Sequence, residues 1–222
     1  MVSLLDIIGP VMVGPSSSHT AGACRIGLLA RGLVRGTPQS ARVELHGSFA
    51  RTGEGHGTDK AIAAGLLGFR PDDVRIREAL DIAEREGLSY QFEKTTISDD
   101  AHPNTVRLSV TRGPETHVIT ASSIGAGRIV LSEIDGYPVE VNGNLHTIVV
   151  VAEDRPGSVA RIAGILAEEK VNLATMRLTR LARGGDAFMV LECDDDASDH
   201  AIDAIERLEW VRWARRLDKV GG

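Results

Sequence analysis

The most regular pattern of apolar and polar positions lies in the last third of the chain. "HTIVVVA", His146 to Ala152, is a β-branched apolar run suited to a buried strand. Pro156 and Gly157 then mark a turn and helix start. Val159, Ile162 and Leu166 recur at helical spacing, and Asn172 sits just past the helix end. "LATMRLTR" alternates as a half-buried strand, "ARGGDA" turns, and "FMVLEC" is a further strand. "SDHAIDAIERL" places Ile202, Ile205 and Leu208 on one helical face, and "WVRWARRL" closes the series as a strand. The predicted order is βαββαβ, the ferredoxin-like arrangement, a whole small domain in roughly 75 residues.

Residues 1–136 have a less regular rhythm. A helix is expected from about His19 to Arg35, with Ile26, Leu29 and Leu33 as its apolar face and Gly36-Thr37-Pro38 as its stop. "ARVELHGSFA" reads as a strand leading into a loop. "GTDKAIAAGLLG" reads as a helix started by Thr58 or Asp59 and ended by Gly68, and "DDVRIREALDIAEREG" as an amphipathic helix. Strands follow at "SYQFEKTT", "TVRLSVTR", "THVITASS" and "GRIVLSEIDG". No βα rhythm repeats, so the fold class is α+β. "GYPVEVNGNLHT" marks the boundary. We expect a mixed α/β domain at 1–136, a linker at 137–145 and the ferredoxin-like domain at 146–222.

The 222 residues are 42% hydrophobic and 25% charged, a globular composition with room for two small cores. Formal net charge is −6, with four lysines and no basic run, which argues against nucleic acid or an acidic membrane as partner. The apolar N-terminus carries Asp6, is broken by Gly9-Pro10 and lacks a basic leader, so a cytoplasmic protein is expected. The two cysteines, Cys24 and Cys193, lie in different halves. They cannot by themselves hold an iron–sulfur cluster or a structural zinc, which need three or four thiolate or imidazole ligands.

Three short segments carry candidate chemistry. "PSSSHTAG" puts Ser16, Ser17, Ser18, His19 and Thr20 at a helix start, where unpaired backbone N–H groups and the helix dipole favour a carboxylate or phosphate. The alternative is that one hydroxyl caps the helix and the others are solvated. "GEGHGTD" surrounds His56 with glycines that let a backbone approach a ligand, or it is a flexible turn with an incidental histidine. "AHPNT" holds His102 extended before Pro103. Lys60 suggests a Schiff-base lysine only weakly and reads as a helix-surface residue. Cys24 reads as a small buried apolar residue, and "IGAGRI" lacks the strand-to-helix context of a dinucleotide loop.

Together and in this order, "GPSSSHTAGACRIG", "HGSFARTGEGHGTDKAIAAGLLG" and "HPNT" resemble the β chain of bacterial iron–sulfur L-serine dehydratase. "VVVAEDRPGSVARIAGILAEEKVNLATMRL" resembles an ACT domain, the regulatory module that binds amino acids at domain interfaces. The first resemblance implies a lyase subunit that converts L-serine to aminoacrylate, and thence to pyruvate and ammonia. It also implies a cysteine-rich α chain holding a [4Fe–4S] cluster, with the active site shared between chains. His56 is then the leading proton-handling residue and His102 the second, with base and acid undecided. Ser16, Ser17, Ser18, His19 and Thr20 hold the substrate.

The ACT resemblance implies polar ligand contacts from Asp154, Arg155, Gly157, Ser158 and Asn172. Ala152 and Asp154 depart from the residues that serine-sensing relatives place there. A monovalent cation, another amino acid or dimerisation alone are open for this domain, and edge-to-edge pairing of two ACT sheets implies a homodimer. The rival reading is an amino-acid-sensing regulatory protein with no catalytic role. An obligate complex would be expected to leave an exposed apolar face on residues 1–136.

Overall fold

A computed structural model describes residues 11–221, and these divide into two units, the second spanning Gly143–Lys219. The first unit opens with a π-helical turn, Ser17–Gly22, that runs directly into α1 (Ala23–Leu33). β1 (Ser40–His46), α2 (Gly47–His56) and α3 (Thr58–Leu67) follow. A 3₁₀ turn at Val74–Glu78 leads into α4 (Ala79–Arg85). Five strands complete the unit: β2 (Ser89–Thr95), β3 (Thr105–Arg112), β4 (Glu115–Gly125), β5 (Arg128–Ile134) and β6 (Tyr137–Val141).

The sheet order is β2-β1-β3-β4-β5-β6. β1 pairs parallel with β2 and antiparallel with β3, so Val43 stands opposite both Phe92 and Leu108. Period-two burial of Ala41, Val43 and Leu45, and of Val106, Leu108 and Val110, turns one face of these strands inward. α1 and α3 cross almost backbone to backbone. A Cβ on Gly65 would stand 2.1 Å from the Cys24 carbonyl oxygen, and one on Gly27 would stand 2.5 Å from that of Ile62. Only glycine allows that approach, and the approach fixes the π-helical turn before α1 beside the start of α3.

The second unit is β7 (His146–Glu153), α5 (Ser158–Glu168), β8 (Leu173–Arg180), β9 (Asp186–Cys193), α6 (Asp199–Glu206) and β10 (Val211–Leu217). Its antiparallel sheet runs β10-β7-β9-β8, the ferredoxin-like order read from the sequence. Ile162, Leu166, Ile202 and Ile205 pack with Val150, Met189 and Leu191 in one core.

Several expectations are corrected. "GSFARTGEGH" is helix, not loop. Its N-terminus is satisfied from a distance, because the Pro103 carbonyl accepts from the N–H groups of Ser48 (2.6 Å) and Phe49 (3.4 Å), and the Phe49 ring is fully buried. α3 starts at Thr58 and is ended by Gly68 as expected, but its N-cap is Gly57, at φ 68°, with no side-chain capping bond. The expected helix at 72–87 is split, with Asp73 capping the N–H of Arg75 and pairing with its guanidinium. Tyr137–Val141 was expected as linker but pairs with β5, which moves the division to Asn142/Gly143. β8 is mostly exposed rather than half-buried, because it is an edge strand. The exposed large hydrophobics of the first unit are Val11, Val74 and Ile124 among the described residues, which do not amount to the expected apolar face. No helix among them is long and apolar enough to cross a membrane.

Candidate active site

With residues 47–56 helical, Ser48, Thr52 and His56 fall at i, i+4 and i+8 on one face of α2. His19 faces them from the π-helical turn. Its Nε2 lies 3.2 Å from Thr52 Oγ1 and 3.3 Å from Ser48 Oγ. On its other side, Ser16 Oγ accepts from the His19 backbone N–H at 3.2 Å and lies 3.4 Å from Nδ1. The ring stands edge-on to Phe49 and 4.9 Å, centroid to centroid, from the ring of His56. Thr20, buried, donates its hydroxyl to the His56 carbonyl at 3.4 Å. That bond ties the π-helical turn to the last turn of α2.

The hydrogen-bond network assigns the protons. His56 Nδ1 is 2.8 Å from the Thr52 carbonyl oxygen, which can only accept, so Nδ1 carries hydrogen and the neutral ring keeps its lone pair on Nε2. Thr52 gives its own hydroxyl hydrogen to the Ser48 carbonyl at 3.0 Å, so it meets His19 Nε2 as an acceptor. Ser16 Oγ accepts the His19 backbone N–H and keeps a hydrogen it can donate to Nδ1, which suits a neutral His19 imidazole protonated at Nε2. Burial, and next the neighbouring His56, hold its pKa below the ordinary histidine value. A neutral ring locked by hydroxyls sits beside a second ring whose free nitrogen can take a proton.

His56 also lines a cavity of about 400 Å³ together with Gly14, Thr20, Gly55 and Lys60. Gly14, at φ 149°, lies against Thr20, where a Cβ would come within 2.5 Å of the Thr20 hydroxyl.

The remaining sequence-predicted residues are placed differently. Ser17 and Ser18 lie in the π-helical turn, half-buried, and take no part in the hydroxyl network around His19. His102 is exposed, in the loop whose Pro103 caps the start of α2. That end of the helix is eight residues, about 12 Å, from His56. His102 Nδ1 accepts from the Asn104 N–H at 3.1 Å, so its neutral ring presents Nε2–H. The structure thus joins His19 with His56 and leaves His102 outside that pair. Ser48 and Thr52 were missed, and the signal that would have found them is their four-residue spacing to His56.

In the second unit, the candidate ligand positions already have partners. Asp154 accepts from Arg180 (2.7 Å) and from the Gly184 N–H (3.1 Å), and these bonds, that of Gly184 first, hold its carboxyl below the usual carboxylate range. Ser158 donates to the Arg155 carbonyl, and the Arg155 guanidinium lies 5.7 Å from the centroid of the Trp210 ring. Gly157 starts α5 at φ 87°, and Asn172 donates to Asp194 at 2.6 Å. Both cysteines are buried, one in each unit. Burial pushes the thiol of Cys24 up to about 12 and that of Cys193 up to about 11. Among the described residues no group of three or more His, Cys, Asp or Glu side chains converges as metal ligands would.

Residues 3–134 match the family described as serine dehydratase beta chain, and residues 146–209 match the ACT domain. A probable L-serine dehydratase beta chain of Bacillus subtilis (strain 168) is 42% identical over 206 residues, 93% of each chain. The L-serine dehydratase beta chain of Peptoniphilus asaccharolyticus is 36% identical over 218 residues, 97% of this chain and 98% of that one. A D-3-phosphoglycerate dehydrogenase of Bacillus subtilis (strain 168) is 28% identical over 197 residues, 88% of this chain but 37% of the dehydrogenase.

Proposed function

We propose that this chain, which belongs to the serine dehydratase beta-chain family, is the β subunit of an L-serine dehydratase and supplies the proton-handling half of an active site shared with an α chain. The observation that carries the reading is the His19–His56 pair, built from the segments that distinguish the sequence.

The reaction needs a base for the weakly acidic Cα–H of serine and a means of expelling the β-hydroxyl. His56 takes the Cα proton on Nε2, the nitrogen its bond to Thr52 leaves free. His19 is a positioning residue, because Ser16, Ser48 and Thr52 fix its ring and its neutrality keeps a second cation away from His56 as the proton arrives. The proton that His56 takes is returned to the departing hydroxyl, which leaves as water; aminoacrylate remains, and its hydrolysis gives pyruvate and ammonia. His102 presents Nε2–H at the far end of α2, away from the Cα proton that His56 takes, and has no step in this reading. Thr20 ties the two halves of the site together, and Ser17 and Ser18 belong to the same π-helical turn.

A [4Fe–4S] cluster does not fit this chain's residues, since its two cysteines are buried in separate units. We assign the cluster and expulsion of the hydroxyl to a cysteine-rich α chain. Two buried free thiols suit a reducing cytoplasm. We assign homodimerisation to the ACT unit, supported by its exposed edge strand β8 with Met176 and Leu178 37% and 42% exposed. The sensor alternative gains nothing from Asp154, Ser158 and Asn172, whose polar groups are bonded within the unit.

The test is assembly with the α chain followed by turnover of L-serine. His56→Asn in an assembled, cluster-loaded complex is expected to cut turnover by about 10²- to 10⁴-fold.

A further inference from the structure

The mechanism above leaves the substrate's carboxylate without a partner, and the cavity beside His56 offers one. Among the described residues its charged lining side chains are Lys60 and Arg77, both cations, in a chain of net charge −6. Both are exposed, and neither forms an ion pair with another described side chain. Asp59, the acid of the same helical turn, instead lines a separate hollow with Phe92 and Glu93. Lys60 belongs to the first turn of α3, whose N-cap Gly57 also lines the cavity and provides no side-chain cap. The positive end of that helix adds to the field of the two cations.

Gly55 is a second, independent sign. It is a helical residue on the cavity wall, where glycine is less favourable than alanine. Its φ is not in the left-handed region, and a Cβ there would meet nothing within 4 Å. Neither backbone strain nor packing within the described residues accounts for it. An open wall next to His56 does, if something else comes close. At about 400 Å³ the cavity falls in the range of small-molecule sites, roughly 300–1,000 Å³.

We propose that Lys60, seconded by Arg77, anchors the carboxylate of the amino-acid substrate in this cavity and so presents its Cα to His56. The assignment rests on the β-subunit reading above. It makes Lys60 a substrate-binding residue and a determinant of specificity for α-amino acids with a free carboxylate.

The test is steady-state kinetics of the assembled, cluster-loaded α/β complex carrying Lys60→Gln, Lys60→Arg, Arg77→Gln or the Lys60→Gln/Arg77→Gln pair, with L-serine and with L-serinamide, which lacks the carboxylate. Lys60→Gln is expected to raise KM for L-serine about 10- to 100-fold with a much smaller change in kcat, the double variant to raise it further, and Lys60→Arg to recover most of the loss. The preference of the native complex for L-serine over L-serinamide is expected to collapse in the double variant. Unchanged KM and undiminished preference in that variant would overturn the assignment while leaving the β-subunit reading intact. An assembled native complex that does not dehydrate L-serine removes both, so the two failures are distinguishable. Because both side chains are exposed, an unchanged melting temperature is expected to accompany the kinetic change.

Discussion

His19 and His56 stand ring to ring, 4.9 Å between centroids, and hydroxyls hold only the first of them from both sides. At that separation two imidazolium ions would repel. His19 is bonded through both ring nitrogens, whereas the bond of His56 to the Thr52 carbonyl leaves its Nε2 open.

His19 is therefore expected to titrate below 6.5, and replacing His56 with asparagine is expected to raise its pKa by removing a neighbouring charge. The stability that depends on the neutral native ring is whole above 6.5 and is lost as pH falls toward and through the lower native value. Histidine ring resonances followed from pH 8 to pH 5, in native and His56→Asn chains, measure this directly. A His19 midpoint above 6.5 contradicts the network.

Thr52 links the two rings, through its hydroxyl to His19 and its carbonyl to His56. Thr52→Val, which removes the hydroxyl while keeping the shape, is expected to lower kcat of the complex roughly fivefold to tenfold. Thr52→Ser is expected to recover it. The acid limb of the pH profile should move with Thr52→Val, a change that loss of packing alone does not cause.

The dependence on α2 shows what the sequence disclosed and what it hid. The ACT unit was legible because Val150, Ile162, Leu166, Met189 and Ile205 repeat at strand and helix periods that local chemistry enforces. α2 was not, because Gly53, Gly55 and Gly57 signal a loop, while the stabilising contacts come from Pro103, far along the chain, and from burial of Phe49. Reading a loop there hid Ser48 and Thr52, whose alignment with His56 exists only on a helix. β6 was hidden likewise: Gly136 and the Asn-Gly pair that follows read as linker, yet Leu131 pairs with Val141.

The crossing of α1 and α3 is expected to be intolerant of any side chain. Gly65→Val places atoms where the Cys24 carbonyl lies 2.1 Å from the Cβ position, which forces the helices apart. A loss of about 1–3 kcal/mol or more in unfolding free energy is expected, with activity falling because His19 moves relative to α2. Denaturant melts of the two chains measure it, and equal stability would show that the helices separate at no cost.

Thiol chemistry offers a further check. With both thiols buried and raised to about 12 and about 11, neither Cys24 nor Cys193 is expected to react with an aromatic disulfide reagent at pH 8 until the chain is unfolded, when both should. A fast-reacting thiol in the native chain would contradict the packing described.

Met176 and Leu178 lie two residues apart on the exposed edge strand β8. Lysine at both positions is expected to convert a dimeric β chain to monomer in sedimentation velocity, without loss of secondary structure. A dimer that survives the pair of substitutions places self-association elsewhere.

The most direct test of the central claim is anaerobic pyruvate formation from L-serine by this chain alone, by its α chain alone, and by the two mixed after cluster reconstitution, with native β chain and with His56→Asn. The account predicts turnover only in the native mixture and a loss of about 10²-fold or more with His56→Asn in an equally assembled complex. Full turnover with His56→Asn, or none from a native complex with its cluster intact, would contradict it.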